Sequence, residues 1–151
     1  MKIKKTIFKD LLIVKQKNNI DTRGSLRETF NNTILKKKFV FNYCTTSKKN
    51  VLRGFHFQTK NLQAKYINVL KGRILDVVID LRKNSKTFGK SFKIILSDKN
   101  CLSLYVPEGF AHAYYSFDKL NVVYYKLTNF YKPKFESGIN LLDETIKISW
   151  P

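Results

Sequence analysis

The sequence predicts an all-β protein made of one domain over residues 1–151, and three observations support this class. Short runs rich in Val, Ile, Leu and aromatic residues recur along the chain, with turn-forming residues between them at intervals of about eight to twelve residues. No segment sustains apolar residues at helical spacing, and no internal repeat or low-complexity linker interrupts the pattern. Hydrophobic residues make up 43% of the 151, enough for a folded core. A sandwich or barrel of short strands is therefore expected.

The first third of the chain is predicted to form strands and connections. Residues 5–15 alternate loosely between polar and apolar side chains and predict an edge strand. The Asn, Asp and Gly residues of 18–24 predict a loop. A short strand over 26–30, one helical turn over 33–38 and a strand over 39–46 are expected to follow.

The middle of the chain predicts an antiparallel hairpin, with strands 66–70 and 73–81 on either side of a Gly-containing turn. Alternate residues of the second strand point to opposite faces of a sheet. One face carries Ile74, Asp76, Val78 and Asp80, and the other carries Leu75, Val77, Ile79 and Leu81. The second face is wholly apolar. Carboxylates among aliphatic side chains on the first face are typical of a sheet that lines a site.

Further strands are predicted over 92–96, 102–106, 111–117 and 122–128, and the aromatic end of the chain, 129–151, is predicted to be irregular. The apolar runs are too short to span a bilayer, so no membrane partner is expected. The basic N-terminus lacks the pattern of a signal peptide, which predicts a cytoplasmic protein.

The net charge of +18 raises the question of a nucleic-acid partner. The lysines are spread over predicted turns and ends, however, and no helix-turn-helix, zinc-finger or RNP-type motif is present. We therefore expect no nucleic-acid partner. An anionic small ligand or simple surface solvation accounts better for the charge. Cys44 and Cys101 are widely separated and lack CxxC spacing, which predicts reduced thiols.

The two histidines, His56 and His112, are candidates for chemistry because each lies on or beside a predicted strand. A lone histidine is as often structural as catalytic, and Tyr125 by itself suggests only packing. Two histidines in total make a poor ligand set for a metal, so no metal and no other cofactor are expected. No nucleophile elbow or glycine-rich phosphate loop is present.

Short motifs in a fixed order make the sequence similar to the dTDP-4-dehydrorhamnose 3,5-epimerase family. The resemblance runs from about Asp21 to the last residue. Its blocks are LRGFHFQ (52–58), QAK (63–65), VLKG (69–72), DVVID (76–80), SKTFGK (85–90), YVPEGFAH (105–112), YK (125–126), FY (130–131) and ISWP (148–151).

The resemblance implies a cupin-type jelly roll, that is a double-stranded β-barrel with few short helices, assembled as a homodimer without metal. It also implies a nucleotide-linked 4-keto-6-deoxyhexose as substrate. The protons next to the ketone, at C3 and C5, would be removed through an enolate and returned on the opposite face. An imidazole that titrates near neutrality suits the removal of such a proton.

The resemblance also assigns roles to residues of this sequence. His56 matches the catalytic base, Tyr125 the proton donor, and Lys65 a cation near the ketone. The other matching positions contact the substrate, with Tyr131 stacked on the nucleotide base and with Arg23 and Glu28 supplied across the dimer. The set predicted to bind substrate is Arg23, Glu28, Asn42, Tyr43, Arg53, Gln58, His112, Tyr131 and Glu136.

Two departures from the family pattern bear on these expectations. The chain has Phe41-Asn42-Tyr43 where the family carries Gln-Asp-Asn, so the preferred nucleotide and sugar are left open. Members of the family also continue beyond a Trp-Pro pair, and the continuation supplies an aspartate that partners the base. In its place Asp80, or else Asp76, is expected to pair with His56. The alternatives are an impaired relative that binds nucleotide sugar and a basic binding module.

Overall fold

The computed structural model describes all 151 residues and consists mainly of β-strands. The strands are β1 (Lys2–Lys5), β2 (Leu12–Lys15), β3 (Lys17–Asp21), β4 (Gly24–Glu28), β5 (Phe41–Ser47), β6 (Leu52–Gln58), β7 (Lys65–Lys71), β8 (Arg73–Asp80), β9 (Ser91–Ser97), β10 (Leu102–Val106), β11 (Phe110–Ser116), β12 (Asn121–Leu127) and β13 (Glu136–Gly138). The helical elements are α1 (Asn32–Leu35) and two 3-10 turns, Pro133–Phe135 and Glu144–Ile146. None of them is long and apolar enough to cross a membrane.

Two antiparallel sheets face each other, as the prediction of a jelly roll requires. One sheet has six strands in the order β1-β2-β10-β7-β12-β5, and the other has five in the order β13-β6-β11-β8-β9. Strands that follow one another in the chain mostly lie in different sheets, so the chain winds around a common core. β3 and β4 form a separate two-stranded hairpin. The all-β class and the jelly-roll architecture are therefore confirmed.

The predicted pairing of residues 66–70 with 73–81 is wrong. Both strands form, as β7 and β8, but β7 pairs with β10 and β12, whereas β8 pairs with β9 and β11. Gly72, between them, has φ +83°, and a Cβ there would lie 2.5 Å from the carbonyl oxygen of Leu120. A glycine is needed at this close approach, where the chain passes from one sheet to the other. A tight hairpin and such a corner use the same turn residue, so the turn alone could not distinguish them.

The alternation predicted along β8 is confirmed by its packing. Ile74 and Val78 are buried in the main core between the two sheets. Val77 and Ile79 face the other way and join a second apolar cluster. That cluster is covered by side chains from the C-terminal segment, namely Ile139, Leu141, Ile146, Ile148 and Trp150. The face that carries Asp76 therefore points into the space between the sheets.

The N-terminal elements differ from the prediction in two places. Residues 5–15 do not form one edge strand, because β1 and β2 fold back on each other as an antiparallel pair. Residues 18–24, predicted as a loop, lie mostly within the β3–β4 hairpin, whose turn is at residues 22–23. Polar residues occupy both faces of this exposed ribbon, so its composition resembles that of a loop. The predicted helical turn is confirmed as α1, with Asn31 capping the backbone N–H of Thr33.

Candidate active site

Two adjoining cavities lie between the sheets and collect most of the residues predicted to act on a substrate. The first cavity, of about 370 Å³, is lined by Tyr43, Thr45, Leu52, Arg53, Gly54, His56, Lys65, His112, Tyr114 and Tyr125. The second, of about 340 Å³, is lined by Phe41, Tyr43, His56, Phe57, Gln58, Gln63, Lys65, Tyr131 and Glu136. Tyr43, His56 and Lys65 line both cavities, which are therefore neighbours, and the two together are called the cleft.

The two histidines are brought together by neighbouring strands. His56 on β6 is directly opposite His112 on β11 in the antiparallel register. The strands approach unusually closely at Gly54, where a Cβ would lie 2.4 Å from the carbonyl oxygen of His112 and 2.7 Å from Ala113. Gly54 also has φ +108°, a conformation that residues with a side chain rarely adopt. The glycine of the LRGFHFQ block is thus explained by the packing that places both histidines in the first cavity.

His56 is paired with Glu136. Its Nδ1 lies 2.9 Å from Oε1 of Glu136, and the hydroxyl of Tyr131 donates to Oε2 of the same carboxylate. The hydrogen bond to Glu136 raises the pKa of Tyr131, because it stabilises the neutral phenol. The His56 side chain is 59% exposed and remains accessible from the cleft.

The expectation that Asp80 orients His56 is wrong. The carboxylate of Asp80 is fully buried and accepts hydrogen bonds from Arg82, Ser85 and Thr87 at 2.6–2.8 Å. Burial alone would raise the pKa of Asp80, but these hydrogen bonds together outweigh it and hold that pKa well below its ordinary value. Asp80 therefore fixes the loop that follows β8 and lies outside both cavities.

Asp76, the other carboxylate proposed to partner His56, is instead paired with His112. The Nε2 of His112 and Oδ2 of Asp76 are 2.8 Å apart, and both side chains are buried. The second oxygen of Asp76, Oδ1, is buried without a hydrogen-bond partner. A buried hydrogen-bonded pair thus lies behind the first cavity, which His112 lines, with acceptor capacity unused on Asp76.

Lys65 is the buried cation of the site. It is 8% exposed, and its Nζ donates to the backbone carbonyl of His56 at 3.4 Å. Burial lowers the pKa of Lys65 to about 8, and the carboxylates of Asp76 and Glu136 offset part of that effect. An ammonium group with only one protein acceptor at hydrogen-bond distance has donors left for a ligand oxygen.

Two aromatic side chains pack against the ring of Tyr125. It stacks on Tyr43 with ring centroids 4.6 Å apart and meets His112 edge to face at 5.9 Å. Burial raises the pKa of Tyr125 well above its ordinary value, and burial likewise raises the pKa of Tyr43 to about 12. Both phenols therefore keep their protons at neutral pH, and Tyr125 has the protonation state that a proton donor needs.

Two further predicted residues line the cleft and are fixed by hydrogen bonds. Arg53 donates to the hydroxyl of Ser47 at 2.9 Å and to the carbonyl of Thr46 at 3.1 Å. Gln58 donates to the carbonyl of Asn61 and accepts from the backbone N–H of Lys132 at 2.8 Å. Gln58 thereby holds the segment that carries Tyr131 and Glu136 against β6.

Besides Asp80, three predicted residues lie outside the cleft of a single chain. Asn42 is on the exposed face of β5, opposite to Tyr43, and accepts a hydrogen bond from Lys126 at 3.3 Å. Arg23 is at the tip of the β3–β4 hairpin in an ion pair with Asp21 at 2.7 Å. Glu28, at the base of that hairpin, accepts from Asn31 at 2.7 Å. Strand alternation excludes Asn42 from the cavity that Tyr43 lines.

The sequence analysis did not single out Tyr114 or Thr45, although both line the first cavity. The hydroxyl of Tyr114 is 3.1 Å from that of Thr45 and 2.8 Å from that of Ser47. Tyr114 and His112 are two residues apart on β11, so strand alternation could have identified Tyr114 once His112 was placed in the cavity. No group of three or more His, Cys, Asp and Glu side chains is arranged to hold a metal ion.

Comparisons with known proteins agree with this geometry. The family model for dTDP-4-dehydrorhamnose 3,5-epimerase matches residues 5–151. A protein of that name from Methanothermobacter thermautotrophicus is 40% identical over 97% of this chain and 82% of its own, and one from Salmonella typhimurium is 40% identical over 97% and 84%. A solved dTDP-6-deoxy-D-glucose-3,5-epimerase from Legionella pneumophila, in complex with dTDP-4-keto-L-rhamnose, is 36% identical with a TM-score of 0.94, covering 99% of this chain and 83% of that one. The chain belongs to the dTDP-4-dehydrorhamnose 3,5-epimerase family.

Proposed function

We propose that the protein is an epimerase of a nucleotide-linked 4-keto-6-deoxyhexose and inverts the sugar at C3, at C5 or at both. The observation that carries the proposal is the convergence of His56, Lys65 and Tyr125 on one cavity between the sheets. The three side chains supply a base, a cation and an acid, which are the groups that inversion next to a ketone requires.

The reaction begins with removal of a proton from the carbon next to the ketone. His56 takes that proton on Nε2, because its Nδ1 is engaged with Glu136. The electron pair moves onto the ketone oxygen, where the ammonium group of Lys65 stabilises the developing negative charge. A preorganised donor at such an oxygen contributes roughly 3 kcal/mol.

Tyr125 completes the inversion. A phenol that keeps its proton at neutral pH donates that proton to the opposite face of the enolate, and the configuration at that carbon is reversed. His56 and Tyr125 then return to their starting protonation states by exchange with solvent. Each step uses a side chain that lines the first cavity.

The nucleotide part of the substrate extends into the second cavity. Tyr131, which is 46% exposed, presents an aromatic ring on which a base can stack. Arg53 lines the first cavity and is the guanidinium group available there for the diphosphate. The complex of the Legionella relative with dTDP-4-keto-L-rhamnose supports dTDP as the nucleotide.

The proposed reaction is tested by solvent exchange. The protein incubated in heavy water with dTDP-4-keto-6-deoxyglucose is expected to incorporate deuterium at C5, at C3 or at both, and proton NMR of the sugar measures this directly. Incorporation at one carbon would identify a single epimerisation. Binding of several nucleotide sugars without any incorporation would contradict an epimerase and favour the impaired relative that only binds.

A homodimer is also proposed, in which the β3–β4 hairpin of one subunit reaches the cleft of its partner. The hairpin pairs with no other strand of its own chain, and a two-stranded ribbon alone is marginally stable. Ile20 and Leu26 on it are 77% and 71% exposed, which leaves apolar surface for a second copy. This arrangement would bring Arg23 and Glu28 to the partner's substrate.

If the β3–β4 hairpin forms the dimer contact, charged residues placed on it should weaken dimerisation. Ile20→Asp combined with Leu26→Asp is expected to shift the protein from dimer to monomer and to reduce deuterium exchange, because a charged hairpin disfavours an apolar contact. Light scattering at micromolar concentration measures the mass. Ile7→Asp, at a residue that is 83% exposed elsewhere, is the control and is expected to remain dimeric. A wild type that is strictly monomeric would contradict the proposal.

A further inference from the structure

The 2.9 Å contact between Nδ1 of His56 and the carboxylate of Glu136 points to a role for Glu136 beyond substrate contact. We infer that Glu136 is a positioning residue, which fixes the tautomer and the ring orientation of His56 for proton abstraction. The inference rests on the proposed epimerase reaction, in which His56 is the base. The family resemblance alone implied only that Glu136 touches the substrate.

The geometry at Nδ1 carries the argument. A neutral imidazole has one N–H and one lone pair, and the nitrogen that faces a carboxylate keeps the proton. Oε1 of Glu136 lies 2.9 Å from Nδ1 of His56, so the lone pair is placed on Nε2. A base must present that lone pair to the carbon acid. The side chain of His56 is 59% exposed, so little else packs against the imidazole ring. The contact with Glu136 therefore limits the rotation of that ring.

Glu136 is itself fixed at both ends of its side chain. The hydroxyl of Tyr131 donates to Oε2 and holds the carboxylate in one orientation. On the backbone side, β13 is paired with β6, so that Glu136 lies opposite Gln58 and Gly138 lies opposite His56. The backbone N–H of Thr59 also donates to the carbonyl of Phe135 at 2.8 Å. Glu136 therefore reaches His56 diagonally across a paired strand rather than from a free loop.

The other carboxylates near the cleft are already engaged. Asp80 is saturated by Arg82, Ser85 and Thr87, and Asp76 is bonded to His112. The other charged group close to His56 is Lys65, whose Nζ contacts the backbone carbonyl of His56. Glu136 is thus the carboxylate with the position to orient the base.

The two histidines make a direct test possible, because each has a carboxylate on a different nitrogen. Nitrogen-15 NMR of the neutral side chains is expected to show His56 with its proton on Nδ1 and His112 with its proton on Nε2. Glu136→Ala is expected to abolish the preference at His56 and to leave His112 unchanged. Glu136→Met, of similar length and without an oxygen to accept from Nδ1, gives the same test with less risk to folding, and Glu144→Met on an exposed turn is the control.

Kinetics separate positioning from substrate contact. Loss of an orienting partner is expected to lower kcat for deuterium exchange by ~10-fold to 10²-fold, with KM little changed. Tyr131→Phe keeps the ring but removes the hydroxyl that holds Glu136, and it is expected to show a smaller loss of kcat. Glu136→Asp is expected to have a kcat below that of the wild type, since the shorter side chain moves the carboxylate away from Nδ1.

Two results would overturn the inference. One is an unchanged His56 tautomer in both Glu136→Ala and Glu136→Met. The other is a higher KM with an unchanged kcat, which would assign Glu136 to substrate binding alone. Failure of the wild type to exchange deuterium would refute the proposed reaction, but the NMR measurement would still decide whether Glu136 orients His56.

Discussion

His56→Ala is expected to lose deuterium exchange into a dTDP-linked 4-keto-6-deoxysugar by ~10²–10⁴-fold, the range typical of general-base catalysis. The reason is that no other side chain in the first cavity is arranged to accept the proton. His112 uses one ring nitrogen for Asp76 and is buried, Lys65 is cationic at neutral pH, and Tyr125 holds its own proton. Proton NMR of the sugar in heavy water measures the rate of exchange, and calorimetry with dTDP checks that the nucleotide still binds.

Tyr125→Phe is the matched comparison, because it removes the acid and leaves the base. Exchange with retention is expected to persist in this variant while net inversion falls, since the proton can return on the face from which it left. The ring of Phe preserves the stack on Tyr43 and the edge contact to His112. Unchanged exchange in His56→Ala would show that another residue is the base. Equal loss of exchange and inversion in Tyr125→Phe would contradict the assignment of base and acid to opposite faces.

The fold class was predictable because strand alternation is a local property. Along β8 the two faces could be separated by counting alternate residues, and the packing of Ile74 inward and Val77 outward follows that count. The partners of β8 were not predictable in the same way. Gly72 permits a tight turn of either kind, and the choice depends on which apolar faces meet across the whole sandwich.

The sequence predicted which residues line the candidate site. It did not predict which carboxylate contacts each histidine. The resemblance named His56, Lys65, His112 and Tyr125, and all four line one cavity. The sequence could not show which carboxylate would meet which histidine, because Asp76 and Asp80 share one face of β8 yet bond to His112 and Arg82 respectively. Glu136 reaches His56 only because β13 pairs with β6, a contact between strands far apart in the sequence.

Other expectations remain predictions. The homodimer and the roles of Arg23 and Glu28 depend on a second copy of the chain, and a single chain cannot contain that contact. A cytoplasmic location and the absence of a metal cofactor were likewise inferred from the sequence. The exchange of Gln-Asp-Asn for Phe41-Asn42-Tyr43 places Tyr43 in both cavities and Asn42 on the exposed face, so the aromatic ring is the part of this change that a substrate would meet.

Lys65→Met is expected to lower the rates of both exchange and inversion by ~10²–10³-fold, because the enolate oxygen loses its cation in either direction. The wild type is also expected to lose activity as the pH rises above about 8, since the lowered pKa of Lys65 makes the side chain neutral there. Lys119→Met, on an exposed turn, is the control and should retain the wild-type rate. A high-pH decline that persists unchanged in Lys65→Met would assign it to another group.

The same substitution is expected to stabilise the fold. A pKa lowered from 10.5 to about 8 means that burying the charged amine costs roughly 3 kcal/mol, at 1.36 kcal/mol per pKa unit. That cost is fully present below pH 8, where Lys65 is charged in both the folded and the unfolded chain. It shrinks between pH 8 and 10.5, where only the unfolded chain binds the proton, and it vanishes at higher pH. Urea unfolding at pH 7 should therefore show Lys65→Met to be more stable than the wild type, with an advantage that falls as the pH approaches 10.5. A less stable Lys65→Met at pH 7 would contradict the view that this lysine is kept for its charge at a cost to folding.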